Sequence, residues 1–216
     1  MKNKTTLYNF ILDRSGSMSG MEQMAVKGFN NHLSTIKNLQ KEFPNQQFLC
    51  SLTTFNDEIN TIVSIKSIDE IKQIEVGQYR PEGMTALLDA IGKNIHDVNE
   101  KFQKQIDDNE MSVVFVIITD GYENASRFFS YHDIAKKIAA LEKTEKWTFT
   151  FLGADFDAVQ TSQMLNIKRE NSINFKKSNY KEMMTQVDEQ MFSYSYNKEC
   201  GVVQSCFFDD NKKNKK

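Results

Sequence analysis

Short apolar runs alternate along this chain with stretches whose apolar positions recur at helical spacing. Residues 7–12 (Leu-Tyr-Asn-Phe-Ile-Leu) predict a buried strand that stops at Asp13, and 14–20 (Arg-Ser-Gly-Ser-Met-Ser-Gly) a polar, glycine-punctuated loop. Met21, Met24, Ala25, Gly28, Phe29, Leu33, Ile36 and Leu39 then follow a helical stripe, which Pro44 ends. Residues 48–55 predict a strand, Asn56-Asp57 a turn and 59–65 a second strand. Strands so close together pair antiparallel, because a parallel return needs a crossover of about a dozen residues or more. A short helix is expected over 67–74, a loop with proline and two glycines over 77–83, and an amphipathic helix from near Thr85 through Phe102. Residues 111–118 (Met-Ser-Val-Val-Phe-Val-Ile-Ile) are apolar on both faces, as a central parallel strand is, and run into Thr119-Asp120-Gly121. A polar loop over 122–130, a helix carrying Ile134, Ile138 and Leu141, a strand over 147–152, a short helix over 158–165, a short strand over 172–175 and a helix over 180–194 complete the pattern.

This alternation predicts an α/β fold: a three-layer, doubly wound, mostly parallel six-stranded sheet with one antiparallel edge strand and helices on both faces. Ligands of such sheets bind off the carboxyl ends of the strands, which singles out the loops at Asp13, near Thr85, at Asp120 and at Gly153.

Composition narrows the class. A chain of 216 residues suits one α/β domain with a sizeable core, and 27 Lys+Arg against 29 Asp+Glu lacks the basic excess of a general nucleic-acid binder. No apolar run approaches the ~20 residues that span a bilayer. The N-terminal apolar run contains Asn9 and ends at Asp13, too short and interrupted for a signal-peptide core. Cys50, Cys200 and Cys206 do not make a disulfide framework, so a cytoplasmic location with reduced thiols is expected. The domain is expected over 1–197, with a C-terminal tail over 198–216 ending in the lysine-rich 211–216. His32, His96 and His132 read as surface or boundary residues. Phe128-Phe129, in the loop after Asp120, reads as lid packing or a partner contact.

The chemistry lies in oxygens. In Asp13-Arg-Ser15-Gly-Ser17 the i, i+2 and i+4 side chains can turn to one side of a tight loop. Thr85 and Asp120 add a hydroxyl and a carboxylate from two further strand-end loops. Such hard donors suit Mg²⁺ or Mn²⁺, and no Cys or His cluster has zinc spacing. Taken singly, each piece has a plainer reading: Asp13-x-Ser-x-Ser and Thr85 as helix caps, Asp120-Gly121 as a turn.

Taken together, Asp13-x-Ser15-x-Ser17, Thr85 and Asp120 closely resemble the metal-ion-dependent adhesion site of von Willebrand factor type A domains. The resemblance covers roughly residues 5–195 and includes the order of elements, Gly83-Met-Thr85-Ala-Leu-Leu and Thr119-Asp120-Gly121. Arg14 departs from the glycine of many animal adhesion domains and is similar to bacterial stand-alone members. The resemblance implies that the Ser15, Ser17 and Thr85 hydroxyls contact the metal, that Asp13 and Asp120 bind it directly or through water, and that an Asp or Glu of a protein partner completes its shell. It further implies a non-enzymatic binding module in an intracellular bacterial assembly, such as a stress or tellurite-resistance system; the charge balance and the lack of a long apolar run add the expectation of no nucleic-acid or membrane partner. In some relatives, ligand binding shifts the last helix. Two other functions compete. A haloacid-dehalogenase-like phosphatase would use Asp13 as nucleophile, but the acid expected two residues later is Ser15. A scaffold with a vestigial metal site is the other.

Overall fold

The structure is a computed structural model that describes residues 4–155, 157–202 and 206–208. Strands β1 (Lys4–Asp13), β2 (Gln46–Phe55), β3 (Ile59–Ser67), β4 (Met111–Thr119), β5 (Trp147–Ala154) and β6 (Ser172–Phe175) form one six-stranded sheet in the order β3-β2-β1-β4-β5-β6. Only β3 runs antiparallel, against β2, as the short three-residue connection over 56–58 requires. The helices are α1 (Glu22–Glu42), α2 (Leu87–Asp107), α3 (Tyr131–Glu142), α4 (Ala158–Met164) and α5 (Tyr180–Glu199).

The pleat of β1 sorts the core into two layers. Tyr8, Phe10 and Leu12 point to a cluster with Phe29, Leu33 and Ile36 of α1 and Met183, Val187 and Met191 of α5. Leu7 and Ile11 point the other way, to Ile91 and Ile95 of α2, Ile134 and Ile138 of α3 and Ala158 of α4. The chain therefore leaves β1 toward one face and β4 toward the other. These neighbouring parallel strands make the point where strand order reverses, and a crevice opens at their carboxyl ends.

Three local expectations need correction. Residues 67–74 hold only a 3₁₀ turn at Ile68–Glu70 before an irregular stretch. Ile68, Ile71 and Ile74 are buried at a spacing that mimics a helix, but α1 takes backbone groups of Ile71 and Ile74. Asn30 brackets Ile74 with two hydrogen bonds of 2.9 Å, and Lys37 Nζ donates to the Ile71 carbonyl at 2.8 Å. His32 is fully buried: it stacks on Phe10, and its Nδ1 lies 2.6 Å from Asp188 Oδ1 of α5. His96 and His132 are exposed as expected. Helix α2 starts at Leu87 with Ala86 as N-cap, so Thr85 precedes the helix and does not cap it.

Beyond the expected end of the last helix, α5 continues to Glu199, and Phe207 is buried beside Tyr194 with its N–H donating to Asn171 Oδ1 at 2.6 Å. The lysine-rich 211–216 lies outside the described residues. Among the described residues no helix is long and apolar enough to cross a membrane.

Candidate metal centre

The register of β1 against β4 decides what lies beside Asp13. Leu12 pairs with Ile118, so the next residues, Asp13 and Thr119, come side by side where the two strands end. Thr119 Oγ1 donates to Asp13 Oδ2 at 2.6 Å, and the Ser15 N–H donates to Asp13 Oδ1 at 2.6 Å. Tyr79 Oη donates to the Asp13 carbonyl from the loop before α2. Burial pushes the Asp13 carboxyl up to about 6. The hydrogen bonds from Thr119 and Ser15 oppose that shift, and the nearby Asp120 carboxylate adds to it.

After Ser15 the loop makes a 3₁₀ turn at Gly16–Met18, which brings Ser17 back over Ser15. Their hydroxyl oxygens are 3.1 Å apart. Ser17 Oγ donates to Asp120 Oδ1 at 2.6 Å, joining the loop after β1 to the loop after β4. Thr85 approaches from a third loop: a Cβ built on Gly121 would stand 3.5 Å from Thr85 Oγ1 and 3.7 Å from Ser17 Oγ. The structure thus gathers Asp13, Ser15, Ser17, Thr85 and Asp120 at one place. Ser17 faces solvent, while Asp13, Ser15 and Thr85 are buried.

The loops are cross-linked by their backbones. The Gly16 N–H donates to the Gly83 carbonyl at 3.1 Å, and the Glu82 N–H to the Arg14 carbonyl at 2.9 Å. Gly83 has φ +73°, and a Cβ there would lie 2.0 Å from Asp57 Oδ1, so only glycine fits this crossing. Asn124 clamps Thr85: its Oδ1 accepts the Thr85 N–H at 2.8 Å and its own N–H donates to the Thr85 carbonyl at 3.0 Å. Behind it, Asp89 of α2 accepts the N–H groups of Arg127, Phe128 and Phe129, while Glu123 accepts the Leu88 N–H at the start of the same helix. Phe129 packs against Gly92 of α2, and Phe128 is 83% exposed.

Pattern reading missed Thr119, Tyr79, Asn124 and Lys177. The last reaches in from the turn before α5, and its Nζ lies 2.6 Å from Asp120 Oδ2. Thr119 was visible in Thr119-Asp120-Gly121, but its hydrogen bond depends on strand register; no local signal marks the others.

Among the described residues no group of three or more His, Cys, Asp or Glu could hold a metal. The donor set here is hydroxyl-rich, with only the carboxylates of Asp13 and Asp120, and its chemistry fits a hard divalent cation. A family model for the von Willebrand factor type A domain matches residues 9–190. None of the curated proteins matches in sequence. Among solved structures, proximal thread matrix protein 1 from the mussel byssus aligns with TM-score 0.55 at 16% identity, over 87% of this chain and 46% of that one. A form of that protein with a zinc-occupied MIDAS motif aligns with TM-score 0.53 at 16% identity, over 88% of this chain and 47% of that one. The ArnB paralog VWA2 from Sulfolobus acidocaldarius aligns with TM-score 0.53 at 19% identity, over 88% and 46%. The chain spans less than half the length of these structural relatives.

Proposed function

Because the chain belongs to the von Willebrand factor type A family, we propose that it is a divalent-metal-dependent protein-binding module. In this reading Ser15, Ser17 and Thr85 supply hydroxyl ligands, and Asp13 and Asp120 hold the ion directly or through water. The observation that carries it is the convergence of the three loops, with Ser17 Oγ on Asp120 Oδ1 and Thr85 Oγ1 beside Gly121. Mg²⁺ or Mn²⁺ is the expected ion, by the preference of hydroxyl and carboxylate oxygens. When bound, it supplies a Lewis-acid position that a carboxylate from outside can occupy. The protein's own part would be to fix the loops that carry these oxygens, with Ser17 facing solvent.

The partner is therefore a protein that presents an Asp or Glu. The exposed Met84, Tyr122 and Phe128 come from the same loops, so apolar contacts beside that acid suit the surface. A role in an intracellular bacterial assembly, with the chain in the cytoplasm, is the setting we propose. The phosphatase reading finds less support. Both Asp13 oxygens already accept protein hydrogen bonds, and position 15 offers a hydroxyl where a proton-transfer acid is needed.

A display library of peptides with a single Glu or Asp provides the test. Peptides retained on the chain in Mg²⁺ should be released by EDTA, by Glu→Gln or Asp→Asn in the peptide, and by Asp13→Ala in the protein. Retention that survives all three changes overturns the proposal.

A further inference from the structure

Lys177 opens the 3₁₀ turn Lys177–Asn179, which leads directly into α5. Its side chain crosses to the other loops of the centre. Nζ donates to the Ser17 carbonyl at 2.8 Å and lies 2.6 Å from Asp120 Oδ2. It approaches Oδ2 off the hydrogen-bonding direction, so the contact is charge against charge. The two partners differ in burial: the Asp120 side chain is 0% exposed and that of Lys177 is 31% exposed. Asp120 Oδ1 is already taken by Ser17 Oγ, so the ammonium is what balances a buried carboxylate that has a second one, Asp13, close by.

We propose that Lys177 is a tethered cation of the metal centre, which holds Asp120 in the metal-free protein and must give it up when a divalent ion binds. This rests on the metal reading above. The ammonium and a divalent ion are like charges that claim the same carboxylate, and because the Asp120 side chain is buried their repulsion there is only partly screened. The lysine is the partner able to leave, being partly exposed on a flexible four-carbon stem. It thereby lowers divalent affinity.

The experiment uses Lys177→Met, which keeps the stem without the charge, and Lys177→Arg, which keeps the charge. Mg²⁺ and Mn²⁺ titrations of the full chain should show at least about tenfold tighter binding for Lys177→Met, with Lys177→Arg close to wild type. Amine-reactive labelling read by mass spectrometry supplies a second measure. Labelling at Lys177 should be slow without metal and rise severalfold in saturating Mg²⁺, relative to the other lysines. If wild type binds metal, equal affinities in Lys177→Met and wild type, or labelling that metal does not change, overturn the role of Lys177 alone. If neither protein binds either ion at millimolar concentration, the metal reading falls and this proposal falls with it.

Discussion

Asp13 has no exposed surface, and each of its carboxylate oxygens faces a protein donor. Burial pushes its carboxyl up to about 6. A divalent ion needs the ionised form, so protons and metal compete for this group. With half-ionisation near pH 6, lowering the pH from 7 to 5 should weaken Mg²⁺ binding about tenfold. The sign for stability is the reverse in the absence of metal. A raised carboxyl favours the folded state at low pH, and that contribution is lost as pH rises from about 4 through about 6. Metal titrations at the two pH values, together with thermal melts in EDTA across the same range, check both signs. An affinity that is flat from pH 7 to 5 would contradict the placement of Asp13 in the ion's shell.

At the scale of elements, the loop from 122 to 130 owes its shape to the first turn of α2. The Asp89 carboxylate accepts the N–H groups of Arg127, Phe128 and Phe129 at 2.7 to 3.0 Å, and the Ser126 hydroxyl accepts the Asp89 N–H at 3.0 Å. Hydrogen bonds to a charged group contribute about 1.5–3 kcal/mol. Asp89→Ala should therefore destabilise the fold by about 2–3 kcal/mol and strip hydrogen-exchange protection from residues 127–129. Unchanged protection there would show that the loop is held by other contacts. This clamp was not legible in the sequence, since an acid in the first helical turn reads equally well as complementing the helix dipole. What was legible depended on local spacing. Asp13, Ser15 and Ser17 stand at i, i+2 and i+4 after an apolar run, and Asp120 follows the most apolar strand, so strand ends located them. Thr119, Tyr79 and Lys177 reach the same place through register or long crossovers, which no window of residues contains. The isoleucines at 68, 71 and 74 show the opposite failure: their period is helical, but Asn30 and Lys37 of α1 claim the backbone that a helix would need.

Across the whole molecule, the candidate centre sits where the two halves of the core part company. Asp13 ends β1 and Asp120 follows the end of β4, neighbouring strands whose chains turn to opposite faces, and Lys177 comes from the turn before α5 on the α1 side. A ligand at that point draws on the loop after β1, the loop before α2, the loop after β4 and the approach to α5 at once. These loops form the site only in the folded chain, so an ion there binds the native state and not the unfolded one. Saturation to about 100 times the dissociation constant then adds about 2.7 kcal/mol of stability. For a domain of this size each kcal/mol raises the melting temperature by about 2–4 °C, giving about 5–11 °C in total. The rise should vanish on EDTA addition and be largely lost in Ser17→Ala and Thr85→Ala, whose side chains add little to the apolar core. A melting temperature indifferent to Mg²⁺ and Mn²⁺ at millimolar concentration, in a chain that is otherwise folded, would mean that the gathered oxygens hold the loops to one another and nothing more.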